Sequence, residues 1–137
     1  MLSLSGEKMD LPKKILVVDD YVDFPRLLVN RLNAEGFETF TAYDGVSAIE
    51  QVKTLKPDLV ILDIMMPEVG GTEVRLELLK DPATRDIPII FLTGLRAPHA
   101  KSKPQNHSSK IIGKSRDFKE LLDAIHEELN KVKLRQL

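Results

Sequence analysis

The sequence of 137 residues has no cysteine, which excludes both structural disulfides and metal sites built on thiolates. It also lacks an excess of one charge, since 20 basic and 21 acidic residues give a net charge of −1. That balance offers no electrostatic footprint for direct contact with nucleic acid or an anionic membrane. No apolar stretch approaches the roughly 20 residues that span a bilayer, and residues 1–14 do not form a signal peptide. We therefore expect a soluble, cytoplasmic protein.

What the sequence does contain is a regular alternation of short apolar runs and amphipathic segments. Continuous apolar runs of four residues are typical of strands buried on both faces, and stripes of apolar residues three or four apart are typical of helices. Strands are predicted at residues 15–18, 38–41, 59–62, 89–92 and 111–112. Helices are predicted over residues 23–35, after Asp44 as the N-cap, over 72–80 and over 117–132.

This alternation predicts a single α/β domain over residues 14–132, with residues 1–13 as an N-terminal extension and 133–137 as a C-terminal tail. Strands without polar positions indicate a doubly wound, five-stranded parallel sheet joined by right-handed crossovers. Five strands suggest the order 2-1-3-4-5. In such a sheet, ligands bind at the carboxyl ends of the strands where the order reverses, here between the first and third strands.

Three aspartates are predicted to meet at that point. Asp19 and Asp20 follow the first strand, and Asp63 closes the third. Carboxylates held this close repel one another, and a hard divalent cation resolves the conflict. Mg²⁺ fits best, because it takes one or more carboxylates and a carbonyl while keeping several waters. A single aspartate here would be read as a strand-end or capping residue, but three that converge favour a metal site.

The connection between the fourth and fifth strands breaks the pattern. Residues 95–110 include Pro98 and Pro104 and show no helical periodicity. A segment without an apolar stripe cannot be held on the sheet by packing, and each proline removes a backbone donor. We therefore predict that the fourth connecting helix is atypical: short, displaced or poorly ordered.

The joint pattern of four short motifs resembles the receiver domain of two-component response regulators over about residues 14 to 132. The motifs are V-V-D-D at 17–20, L-D-I-M-M-P at 62–67 with Gly71, L-T at 92–93 and G-K at 113–114. The resemblance implies a flavodoxin-like receiver fold. It also implies a phosphorelay role, in which a sensor histidine kinase or a histidine phosphotransfer protein donates the phosphoryl group.

The resemblance implies a role for each residue of the acidic cluster. Asp63 would be the nucleophile that forms an acyl phosphate. Asp20 and Asp63 would ligate Mg²⁺ directly together with the main-chain carbonyl of Met65, and Asp19 would act mainly through a bound water. Met65 could otherwise be a core residue, with its carbonyl alone functional.

Two further residues complete the implied site. Lys114 would place a second cation on the phosphoryl group, and Thr93 would donate its hydroxyl to another phosphoryl oxygen. The chain departs from the family after the lysine, where Ser115 and Arg116 replace a cis proline and an aromatic, so a trans bond is expected. It also carries Ile111 where the family often has a switch tyrosine or phenylalanine, so we expect no aromatic rotamer switch.

The leading hypothesis is a stand-alone phosphoacceptor domain that signals through an unknown protein partner. It is not an enzyme beyond self-catalysed phosphoryl transfer and slow dephosphorylation. The alternative that stays open is a receiver-like interaction module that does not use phosphate. A haloacid-dehalogenase-like phosphohydrolase would need an Asp-x-Asp pattern on the first strand, which Asp19-Asp20-Tyr21 lacks. A flavodoxin-like electron carrier would need a glycine- and hydroxyl-rich loop there, and these carboxylates would repel its phosphate.

Overall fold

Five short strands form one parallel sheet in the computed structural model, which describes residues 11–94, 110–114 and 117–135. The strands are β1 (Lys14–Val18), β2 (Glu38–Ala42), β3 (Leu59–Asp63), β4 (Ile89–Thr93) and β5 (Lys110–Gly113). Their order across the sheet is β2-β1-β3-β4-β5. The predicted fold class and strand order are therefore confirmed.

Four helices cover this sheet in the described part of the chain. They are α1 (Asp23–Ala34), α2 (Gly45–Leu55), α3 (Gly71–Lys80) and α4 (Phe118–Arg135). The predicted cap of α2 is present, since the Asp44 side chain accepts a hydrogen bond of 2.7 Å from the Ser47 N–H. Helix α4 continues past its predicted end at Val132, and basic residues in its last turn favour this by interacting with the helix dipole. None of these helices is long and apolar enough to cross a membrane.

The core lies in two layers, one on each face of the sheet. Ile15 and Val17 of β1 pack with α1 and α4, while Leu16 and Val18 pack with α2 and α3. All four of these side chains are buried, as is every residue of β3. Strands covered on both faces have no solvent side, which explains why their sequences are apolar without alternation.

Two predictions concern residues outside the described ranges. The atypical fourth connection falls on residues 95–110, of which only Lys110 is described, as the first residue of β5. The Lys114–Ser115 peptide bond is likewise outside them. Ile111 is described, and it is a half-buried residue of β5 that packs against the α2 and α3 layer.

Helix α3 begins against the backbone of Asp63. The Gly71 N–H donates a hydrogen bond of 3.0 Å to the Ile64 carbonyl. A Cβ on Gly71 would overlap the Asp63 carbonyl oxygen and come within 2.9 Å of the Ile64 Cα. Only glycine allows the start of α3 to come this close to the end of β3. This backbone contact fixes the position of the strand end that carries Asp63.

We expect Gly71→Ala to lower the free energy of unfolding by about 1–3 kcal/mol, because backbone atoms must shift to admit the methyl group. Gly70→Ala is the matched control, since a Cβ there would have its nearest contact at 3.3 Å, from the Ile64 carbonyl oxygen. Urea unfolding followed by circular dichroism measures both variants. A loss for Gly71→Ala no larger than that for Gly70→Ala would contradict the steric account.

Candidate functional site

The carboxyl ends of β1 and β3 lie side by side and bring the three predicted aspartates together. Val18 pairs with Leu62 across these strands, so the residues that follow them, Asp19 and Asp63, are neighbours. One carboxylate oxygen from each of Asp19, Asp20 and Asp63 lies within 4.8 Å of the others. Asp19 and Asp63 are buried, whereas Asp20 is exposed. The cluster is thus enclosed on the sheet side and open to solvent at Asp20.

Lys114 supplies the nearest positive charge. Its Nζ atom lies 2.5 Å from Asp19 Oδ2 and 3.4 Å from Asp63 Oδ2. The Lys114 N–H donates a 2.8 Å hydrogen bond to the Thr93 carbonyl, which ties the end of β5 to the end of β4. Burial alone would lower the pKa of Lys114, but contacts with the Asp19 and Asp63 carboxylates outweigh it, and the pKa is raised. The lysine is therefore held as a cation between two acids.

The carboxyl group of Asp63 is strained electrostatically. Its pKa is raised from 3.8 to about 6, chiefly because burial disfavours the charged form and also because the charge of Asp19 is close. Lys114 opposes this shift, and so does the Met65 N–H, which donates a 3.2 Å hydrogen bond to Asp63 Oδ1. These favourable contacts leave much of the repulsion in place.

The surroundings of the two carboxylate oxygens of Asp19 indicate whether the cluster suits a metal ion. Asp19 Oδ1 accepts a 2.8 Å hydrogen bond from the Tyr21 N–H. Asp19 Oδ2 is buried, receives no well-oriented hydrogen bond from the described residues, and is paired with the Lys114 ammonium group at 2.5 Å. A buried carboxylate oxygen without a hydrogen bond is costly, and a bound cation would satisfy it. Three carboxylates with such an oxygen fit a hard divalent cation.

The other predicted site residues lie around this cluster. Thr93 is half-buried at the end of β4, one residue beyond Leu92, the partner of Asp63. A Cβ on the following Gly94 would meet nothing within 4 Å among the described residues. The side chain of Met65 is 75% exposed, so it is not a core residue; Met66 fills that role instead.

Two contacts at the site were missed by the sequence analysis. The ring of Phe24 lies under Lys114, with Nζ 5.0 Å from the ring centroid. Phe24 packs against the core on the α1 side of the sheet, and no signal in the sequence links it to a lysine 90 positions away. The backbone N–H of Tyr21 orients Asp19, and a backbone donor leaves no trace in residue type.

Comparison with known proteins decides the family. Residues 15–126 match the sequence model described as the response regulator receiver domain. The chain belongs to this family. A probable transcriptional regulator ycf27 from Cyanophora paradoxa is 48% identical to this receiver domain over 83 residues, which is 61% of this chain and 34% of that protein. The response regulator PleD from Caulobacter vibrioides is 44% identical over 82 residues, 60% of this chain and 18% of PleD. The receiver domain thus spans about a third or less of these relatives.

Solved structures agree on the fold. The response regulator TrrA from Thermotoga maritima, solved in complex with Mg²⁺-BeF, is 35% identical to this receiver domain with a TM-score of 0.76, covering 85% of this chain and 98% of that chain. The signal receiver domain of a LuxO repressor protein from Vibrio parahaemolyticus has a TM-score of 0.80 at 22% identity, covering 92% and 96%, and supports the fold alone.

The raised pKa of Asp63 leads to a prediction about stability. In the absence of divalent metal, Asp63→Asn should raise the free energy of unfolding at about pH 7.5, by on the order of 1 kcal/mol, because the amide removes a buried, repelled charge. The pKa of Asp63 is about 6 in the folded state against an ordinary 3.8. Its ionisation therefore lowers the free energy of unfolding fully above pH 6, and this loss disappears as the pH falls toward 3.8.

The advantage of Asp63→Asn should therefore shrink between about pH 7.5 and about pH 4.5 in urea unfolding experiments. Asp123→Asn, an exposed position on α4, provides the control for a charge change without burial. A gain for Asp63→Asn that stays constant over this pH range would show that repulsion is not its cause.

Proposed function

We propose that this receiver domain accepts a phosphoryl group on Asp63 from the phosphohistidine of a sensor histidine kinase or a histidine phosphotransfer protein. The observation that carries the proposal is a buried, repelled carboxylate at the open end of the sheet with a lysine ammonium 3.4 Å away. Phosphorylation of Asp63 forms an acyl phosphate, and its charged phosphoryl oxygens give Lys114 a stronger partner than the carboxylate alone.

In the transfer, an oxygen of Asp63 attacks phosphorus, and a phosphorus–oxygen bond forms as the phosphorus–nitrogen bond of the phosphohistidine breaks. The electron pair of that bond stays on the imidazole nitrogen, which leaves as the free histidine. Asp63 must be ionised to attack, and with a pKa of about 6 it is largely ionised at neutral pH. Lys114 and the hydroxyl of Thr93 then donate to phosphoryl oxygens.

Asp19, Asp20, Asp63 and the Met65 carbonyl would hold Mg²⁺ in this proposal. When bound, Mg²⁺ supplies positive charge that offsets charge on the phosphoryl oxygens. The Mg²⁺-BeF complex of TrrA, a protein 35% identical to this one, supports the choice of metal. The donor set supports it independently, since all its ligands are oxygens and Asp20 is open to water.

The acyl phosphate would act as a signal and not as an intermediate of catalysis on a further substrate. Its output would go to a protein partner, or the phosphoryl group would pass on in a relay. The alternative, an interaction module that does not use phosphate, rests on the departures at the fifth strand, of which Ile111 is described. The two hypotheses differ in whether Asp63 can be modified at all.

Intact-mass measurement after incubation with acetyl phosphate and Mg²⁺ should show one adduct of roughly 80 Da on the wild-type protein. Asp63→Asn should reduce this adduct to background, because the amide has nearly the same shape but cannot attack phosphorus. Asp123→Asn should keep the full yield. Undiminished modification of Asp63→Asn would refute the assignment of the acceptor, and an unmodified wild type would favour the phosphate-independent module.

Magnesium affinity should depend unequally on the two adjacent aspartates. Asp20→Asn removes a proposed direct ligand and should weaken Mg²⁺ binding by roughly tenfold. Asp19→Asn should weaken it less, because Asp19 acts through water and is already paired with Lys114. Titration followed by the amide NMR signals of Tyr21 and Met65 measures both. Equal affinities for wild type and Asp20→Asn would contradict this ligand assignment.

A further inference from the structure

A cavity lies at the opposite end of the sheet from Asp63. It is enclosed by the second half of α3, the turn that leads into β4 and the last turns of α4, and its volume is about 250 Å³. Ile89, the first residue of β4, lines this cavity, whereas Asp63 is the last residue of β3. Because the strands are parallel, the cavity and the aspartate cluster lie at opposite ends of the strands, and they share no residue.

Arg75 on α3 is the unusual residue of this cavity. Its side chain is buried, with the residue only 4% exposed. Within residues 11–94, 110–114 and 117–135, no carboxylate pairs with the guanidinium and no acceptor hydrogen-bonds it. Its Cζ atom lies 6.0 Å from the centroid of the Phe91 ring. Burial lowers the pKa of Arg75. Buried guanidinium groups are ordinarily paired, because five donors and a charge are costly to remove from water.

Glu128 of α4 lines the same cavity but does not neutralise Arg75. It is also 4% exposed, and its Oε2 atom lies 2.9 Å from the Nζ atom of Lys131 on the next turn. The remaining charged residues at the mouth are Arg85, Asp86 and Arg135. The charged lining therefore comprises four basic and two acidic side chains, so the cavity carries an excess of positive charge.

The wall beside Arg75 is held in place by hydrogen bonds. The hydroxyl of Thr84, a buried residue, donates a 2.7 Å hydrogen bond to the Leu78 carbonyl at the end of α3. The N–H groups of Thr84 and Arg85 donate to the Asp81 carbonyl at 3.0 and 2.9 Å. The cavity is smaller than the roughly 300–1,000 Å³ of pockets for drug-sized ligands, so it suits a small molecule.

We propose that this cavity binds a small oxyanion, with its carboxylate or phosphate oxygens on the Arg75 guanidinium and its exposed side toward Arg135. A planar guanidinium presents parallel donors that match two oxygens of one such group. The bound anion would provide the counter-charge that Arg75 lacks among the described residues. This site is independent of phosphoryl transfer to Asp63.

The test is an NMR titration of the whole chain with inorganic phosphate and, separately, with succinate, without Mg²⁺ and with sodium chloride holding the ionic strength constant. Saturable shifts are expected at the amides of Thr84, Ile87 and Ile89, at the cavity wall. Arg75→Met, which keeps an apolar stem of similar length, should weaken binding by about tenfold or more. Arg26→Met, the same change at an exposed position of α1, should leave it unchanged.

The stability of Arg75→Met, measured without added phosphate or succinate, distinguishes a role of Arg75 in anion binding from a structural role. Arg75→Met removes a charge that is largely buried and has no counter-charge among the described residues, so its urea midpoint should equal or exceed that of wild type. A lower midpoint would show that Arg75 has a structural partner, such as Glu128, and would overturn the proposal. Arg75→Lys, which keeps the charge but loses the paired donors, should bind more weakly than wild type and serves if Arg75→Met does not fold.

The anions themselves decide the ligand class. Saturable binding of phosphate alone assigns a phosphate-bearing ligand, and binding of succinate alone assigns a carboxylate. Shifts that are linear in concentration, that chloride reproduces or that persist in both Arg75 variants would overturn the proposal. Shifts confined to Tyr21 and Met65 would also overturn it, because they would place the anion at the Asp63 end of the sheet.

Discussion

The mutual repulsion of two buried carboxylates is the constraint around which this domain is organised. Asp19 and Asp63 are brought together because β1 and β3 are adjacent and parallel. Lys114 reaches them from β5, and Phe24 of α1 packs under its ammonium group. Elements that are far apart in sequence thus meet at one charge cluster, and their hydrophobic packing on both faces of the sheet holds the carboxylates in an arrangement they would not adopt in water.

Local patterns made the sheet and its acidic edge predictable. Uninterrupted apolar runs mark strands covered on both faces, and the strand order then places Asp19 and Asp63 side by side without knowledge of any contact. The end of α4 was predicted less well, because its last turn depends on charge interactions with the helix dipole and not on an apolar stripe.

Contacts that depend on how layers pack could not be predicted in this way. Arg75 lies within a helical segment, and nothing in its neighbours indicates that its guanidinium is buried beside Phe91 and not exposed. The same holds for the Phe24 ring below Lys114. Burial of a polar residue depends on which helix face meets the sheet and on which neighbouring elements pack around that face. Periodicity in a single sequence indicates the face but not the neighbouring elements.

The absence of a side chain at Gly71 has a mechanical consequence. Helix α3 has ten residues, or about 15 Å of axial length, and it starts in contact with the Asp63 backbone. Its second turn carries Arg75 and its last turn borders the far cavity. Helix α3 thus connects the two ends of the sheet, and at its N-terminus backbone packs directly on backbone, with no side chain between them. If α3 has two positions relative to the sheet, a group bound at each end of the sheet can prefer one of them. Binding of either group must then change the binding free energy of the other by the same amount.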